Sequence, residues 1–292
     1  MKIVKSLILT LIGIMLVFTA CDNMNTNPDI NGDEGSGVLQ VFLTDAPADY
    51  ESVIIDIQEI RVHRSSDAEA DEEENGNESG WIVISDEPRK VDLLELTNGK
   101  TEFLGEAELE AGRYSQMRLI LGDENELIMN GETHHLRTPS AQQSGLKLNI
   151  HADIESNSTY TLLLDFDASR SIVQAGNSGN FNLKPVIKTV NLAETGAIGG
   201  SVEPAEALPW VYAIAGEDTV AGTRANEQGD FLIIGILEGT YNVAVQPDEE
   251  EYLPVVIEGV EVTAPDTTFL ETVTLEPVNG DENGNGNDEN GE

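Results

Sequence analysis

The chain has 292 residues, with 15 Lys and Arg against 54 Asp and Glu and a formal net charge of −39 at pH 7. That length allows one large or two modest domains. The charge excludes nucleic acid and an anionic bilayer surface as partners, because both would be repelled. It leaves cations, basic partners and neutral glycans, and an acidic surface with few lysines also fits a halophilic adaptation in which salt screens the repulsion.

Lys2 and Lys5 open the chain, followed by an uncharged stretch from Leu7 to Phe18, small residues, and Cys21, the only cysteine. This is the order of a secretion signal, and the apolar stretch is too short to span a bilayer comfortably. The segment Leu16-Val17-Phe18-Thr19-Ala20-Cys21 resembles a bacterial lipoprotein signal, with Phe18 where leucine is commonest. The resemblance implies that residues 1–20 are removed and that Cys21 becomes a lipidated N-terminus. The protein is then held at a membrane of the bacterial cell envelope. Two or more acyl chains anchor stably, where one does so only marginally. Asp22, next to the cysteine, leaves inner-membrane retention and surface display both open.

Residues 21–36, rich in Asn, Asp, Gly and Pro, read as a flexible tether. Val38 to Leu43 is the first apolar run. In Val53 to His63, one face carries Val53, Ile55 and Ile57 and the other Ile60 and Val62, so a bulge is expected near Gln58. Ser65 to Gly80, an acidic segment, reads as a surface loop between two strands, and the strand pattern restarts at Trp81 to Ile84. Met117, Leu119 and Leu121 share a strand face, as do Leu146, Leu148 and Ile150, with Lys147 and Asn149 opposite. Leu162, Leu164 and Phe166 share another face, with Leu163, Asp165 and Asp167 opposite. Leu183 to Val190 reads as one closing strand, in which Pro185 suits an edge or a bulge.

A second unit begins near Thr195. Its strands are Ala197 to Val202, Trp210 to Ile214, Phe231 to Ile236, Thr240 to Val245, Val255 to Val262 and Thr267 to Leu275. Trp210 and Tyr212 at alternate positions read as core side chains, or as a sugar platform if exposed. Residues 279–292 form a disordered acidic tail. The expected fold is all-β: two antiparallel β-sandwiches in tandem, residues 37–192 and 193–278, after the signal and tether.

Two resemblances attach to these segments. Leu43-Thr44-Asp45-Ala46-Pro47, Gly112 to Leu119, Ser144 to Leu148, Leu164 to Ile172 and Leu183 to Ile187 together resemble a bacterial lipoprotein domain known only as a domain of unknown function, number 4382. It implies no activity. Asp230-Phe231 followed by Gly239-Thr240-Tyr241-Asn242-Val243 resembles the regulatory-like, transthyretin-type sandwich of carboxypeptidases. That module implies a structural or binding spacer.

Catalytic motifs are missing: the sequence contains no Gly-x-Ser-x-Gly elbow and no phosphate-binding glycine loop. The four histidines, His63, His134, His135 and His151, lack zinc-ligand spacing. The carboxylates are the remaining lead. Asp165 and Asp167 project from one strand face about 7 Å apart, and Asp45, read as a loop residue of the Thr-Asp-Ala-Pro segment, can join them. Such a set can bind calcium or act as a glycosidase pair. The structural alternative is an ion-pair network of Arg118, Lys147, Asp165, Asp167 and Arg170. No cofactor is expected apart from possible calcium. The function expected is a non-catalytic binding, scaffolding or adhesion module, anchored to the membrane by its lipid and meeting an envelope protein or glycan. The alternatives are an envelope glycan hydrolase and a calcium-dependent adhesin.

Overall fold

Apolar and polar residues alternate through most of the chain, and the backbone answers with strands and very little helix. A computed structural model describes residues 35–64, 80–138, 145–176, 179–248 and 250–278. Cys21 with residues 22–34 of the tether, residues 65–79 and the tail lie outside them. In the first half the strands are β1 Ser36–Ala46, β2 Ser52–Arg64, β3 Trp81–Ser85, β4 Arg89–Asp92, β5 Glu102–Glu110, β6 Gly112–Leu121 and β7 Glu126–Met129. They continue as β8 Glu132–Arg137, β9 Leu146–Ile154, β10 Thr159–Asp167, the one-turn helix α1 Ala168–Ser171, β11 Ile172–Gln174, β12 Phe181–Leu183 and β13 Ile187–Asn191.

One sheet has the order β13-β10-β1-β5, and the other runs β11-β12-β8-β7-β2-β6-β9, with β3 and β4 also paired to β2. Their inner faces meet in one core, to which Leu39, Val41 and Leu43 contribute from the first sheet and Val53, Ile55, Ile57 and Leu119 from the second. Full burial of each such side chain is worth about 1.5–3 kcal/mol. The expected bulge is present: the β2–β6 register shifts between Ile57 and Glu59, at Gln58, so Ile57 and Ile60 are both buried.

The sandwich is not purely antiparallel. β1 and β10 pair in parallel from Val38 opposite Thr159 to Ala46 opposite Asp167. A parallel pair needs a long crossover, and here the strands of the second sheet supply it. Pro185 lies in no strand. Lacking an N–H, it suits the Lys184–Val186 link between β12 and β13, which belong to different sheets.

The second half contains β14 Thr195–Glu203, β15 Trp210–Ala215, β16 Asp218–Arg224, β17 Asp230–Leu237, β18 Gly239–Gln246, β19 Val255–Val262, β20 Thr267–Phe269 and β21 Val273–Thr274. One sheet runs β17-β14-β20 with β21 beside β14, and the other runs β16-β15-β18-β19. Its core is separate and includes Ile198, Val211, Phe231, Val243 and Val245. Both cores lie within one compact unit of the chain.

The seam between the halves is built from particular residues. Leu163 and Val190 are buried yet belong to neither core. A Cβ added to Gly235, at φ +73°, would stand 3.2 Å from Leu163 and 3.4 Å from Val190, so the backbone of β17 rests against them. In the turn Thr97 to Lys100, Asn98 and Gly99 both have positive φ, and the Lys100 N–H donates to the Thr97 carbonyl, the pattern an Asn-Gly pair favours. Asn98 spans the seam: its N–H donates to Thr223 Oγ1 at 2.8 Å, its Nδ2 to the Asp230 carbonyl at 3.1 Å, and its Oδ1 accepts from the Leu232 N–H at 2.6 Å.

Candidate functional site

Strand alternation decides where each candidate carboxylate goes. Asp165 follows Leu163 on the outer face of β10, while Phe166 is buried in the core. Asp45 is the register partner of Phe166, so it shares the inner face. There its Oδ1 accepts from the Ala168 N–H at 3.0 Å. Its Oδ2 is buried with no hydrogen-bond partner among the described residues. Burial pushes the Asp45 carboxyl up to about 9, the Ala168 bond opposes this, and the charges of Asp165, Asp167 and Asp92 add to it. Asp45 is therefore a neutral acid at pH 7, on the other face from the carboxylates it was expected to join.

Asp165 stands opposite Lys188 in the β10–β13 register. Burial raises its carboxyl to about 6, with Lys188 lowering it and Asp167 raising it. Asp167 caps the single turn of α1: it accepts from Arg170 N–H at 2.9 Å and Ser169 Oγ at 2.7 Å, and the Arg170 guanidinium lies 3.8 Å away. The expected network is thus brought together only in part. Arg118 and Lys147 are register partners on β6 and β9 in the other sheet, and the Arg118 guanidinium lies 4.1 Å from the centre of the Trp81 ring. Lys188 occupies the place expected for them. Among the described residues no group of three or more His, Cys, Asp or Glu is arranged to hold a metal ion. His134 packs edge-on against Phe181, and His63 lies tilted against Trp81.

The outer face of β10 opens on a cleft of about 780 Å³ between the two halves, within the range of ligand sites. Asp165, Asp167, Arg170 and Lys188 line it from the first half, and Trp210, Tyr212, Asp218 and Asp248 from the second. The expectation that Trp210 and Tyr212 are core is corrected. Val211 and Ala213 of the same strand are fully buried, so the odd-numbered face is the core and the aromatic face turns to the cleft. Gly222 lies opposite Tyr212, and a Cβ there would fall 2.7 Å from the tyrosine ring. Trp210 Nε1 donates to Asp248 at 3.3 Å, and the Arg224 guanidinium lies 4.9 Å from the Trp210 ring centre while bonding the same carboxylate. A smaller cavity of about 20 Å³, large enough for one water, lies beside Thr44, Asp45, Asn98 and Asp165.

The sequence reading missed Lys188, Asp218, Asp248 and the whole of β16. The available signal was Gly222, whose lack of a side chain suits a neighbour bearing a large ring. The Asn98-Gly99 pair was a turn signal that also went unread.

The chain is an all-β protein of two sandwiches with a cleft at their seam. Residues 36–185 match the family described as "Domain of unknown function (DUF4382)", and the chain belongs to that family. No curated protein matches the sequence. Among solved structures it is similar to a type II cohesin–X-module–dockerin complex of Acetivibrio cellulolyticus, at 21% identity over 28% of this chain and 58% of that one, with a TM-score of 0.23. It is also similar to the minor pilin GBS52 of Streptococcus agalactiae, at 10% identity over 82% of this chain and 97% of that one, with a TM-score of 0.22. A fimbrial protein of Bacteroides ovatus is a third, at 11% identity over 87% and 55%, with a TM-score of 0.22. The chain thus spans 58% of the length of the first of these.

Proposed function

We propose that this is a lipid-anchored, non-catalytic binding or scaffolding module of the bacterial cell envelope, whose ligand occupies the cleft at the seam. The observation that carries the reading is the lining of that cleft, with aromatic rings from the second sandwich and carboxylates from both. The anchor rests on the lipoprotein-like segment ending in Cys21. The resemblance of residues 195–278 to a regulatory-like sandwich supports a spacer or partner-binding role for the second half. Two facts speak against acid–base chemistry. Asp45 faces away from the cleft carboxylates, and Asp167 is committed to capping α1.

One observation favours a second reading, an envelope hydrolase. Asp165 is raised to about 6 inside a cleft, the environment of a general acid. One experiment separates the two. Full-length protein in detergent is assayed for binding and turnover on glycan and peptide panels, alongside Tyr212→Leu and Asp165→Asn. Saturable binding without turnover, weakened in Tyr212→Leu, supports the binding module. Turnover that Asp165→Asn abolishes without lowering the melting temperature overturns it in favour of the hydrolase.

A further inference from the structure

We infer that the ligand of the cleft is an organic cation, an alkylammonium or guanidinium group, an inference that rests on the cleft being a binding site. Trp210 and Tyr212 stand two residues apart on β15 and present their rings to the same space. Gly222 leaves room for the Tyr212 ring to lie close over the neighbouring strand. Ring faces attract cations, and more strongly once both are desolvated.

Acids outnumber bases around those rings. Asp165 and Asp167 are matched by Lys188 and Arg170, as described above. Asp49, Glu217 and Asp218 also line the cleft, and none of the three has an ion-pair partner among the described residues. A neutral sugar would cover these carboxylates without compensating their charge, and an anion would be repelled. A cation satisfies both the rings and the acids.

The wall already contains the same recognition in covalent form. The Arg224 guanidinium sits 4.9 Å from the Trp210 ring centre and bonds Asp248, the carboxylate that also accepts from Trp210 Nε1. One ring and one carboxylate hold one guanidinium. Tyr212, Glu217 and Asp218 line the same cleft and stand open to a group from outside. That group has two sources, a free polyamine or a lysine or arginine side chain of a partner protein.

The test is isothermal titration of the full-length protein in detergent at low ionic strength. The titrants are spermidine, an arginine-rich peptide and an uncharged chitooligosaccharide. Two variants accompany the wild type: Tyr212→Leu, and Glu217→Gln with Asp218→Asn, which removes no ion pair and so spares the fold. The expected result is one site per chain for spermidine, the peptide or both, weakened about tenfold in each variant. Preference between the two cations then identifies the source. Cation binding unchanged in both variants would reduce the effect to a counterion atmosphere and overturn the inference. Sugar binding lost in Tyr212→Leu, with no cation binding, would overturn the cation and keep the cleft. Silence in all three titrations would overturn both.

Discussion

Asn98 Oδ1 accepts the backbone N–H of Leu232 at 2.6 Å, joining residues 134 positions apart across the seam between the two sandwiches. The same side chain donates to Asp230, and its φ of 58° suits asparagine or glycine far better than other residues. Asn98→Ala is expected to cost about 1–3 kcal/mol, from the half-buried Leu232 N–H left unpaired and left-handed strain. Asn98→Gly, which keeps the backbone conformation, should cost about 1 kcal/mol less. Urea denaturation of the two variants checks this, and equal losses would contradict it.

Asp45 sets a pH dependence of stability. Its carboxyl is raised to about 9 in the folded protein from 3.8. Between those pH values the folded chain holds a proton that the unfolded chain has released, so stability falls as pH rises from about 4 and levels off above about 9. Asp45→Asn has no such proton. Its stability relative to wild type should grow by about 1.4 kcal/mol per pH unit across that window, on the order of 5 kcal/mol between pH 4 and pH 8. Denaturant melts from pH 4 to 9 check the slope; a wild-type curve that rises over this range would contradict it.

Lys188 lies opposite Asp165 and holds its carboxyl below what burial alone would give. In Lys188→Met the Asp165 midpoint should move upward from about 6, because the one lowering influence is gone and desolvation remains. Carboxyl chemical shifts followed by NMR titration read this directly, and an unchanged or lower midpoint would contradict it.

Calcium is expected to raise the melting temperature no more than sodium chloride at matched ionic strength. Asp45 is neutral at pH 7 and faces the core, so the carboxylates at the cleft lack the third ligand that was expected of it. A calcium-specific rise that saturates would restore the adhesin reading.

Cys21→Ser should release the protein from the membrane fraction, since the acyl chains rather than any helix are expected to hold it. Among the described residues no helix is long and apolar enough to cross a membrane. Detergent phase partitioning of the two forms provides the measurement, with retention of the variant as the contrary outcome.

What the sequence revealed and concealed follows from the range of the interactions involved. The bulge at Gln58 was legible because a change of alternation phase is local, and the opposite facing of Asp165 and Phe166 follows from the same period. Asp45 was misassigned because its face depends on parallel register with β10, which no local pattern specifies. Trp210 and Tyr212 alternate with Val211 and Ala213, so both faces of β15 are apolar, and only packing tells which one is core. Lys188 was assigned to a strand without its neighbour, since its pairing with Asp165 is a property of the sheet.

The placing of β1 between β5 and β10 has a consequence for how the chain becomes a protein. A polypeptide emerging N-terminus first presents residues 36–46 long before either neighbour exists. The antiparallel neighbour is complete only when Glu110 is out, and the parallel one only when Asp167 is out. For that interval β1 has two bare edges and an apolar face, the combination that invites pairing with another chain. Synthesis therefore delivers a segment that stays unpaired until about half of the protein has followed it, and closure of the first sheet is a late, long-range event rather than an early, local one.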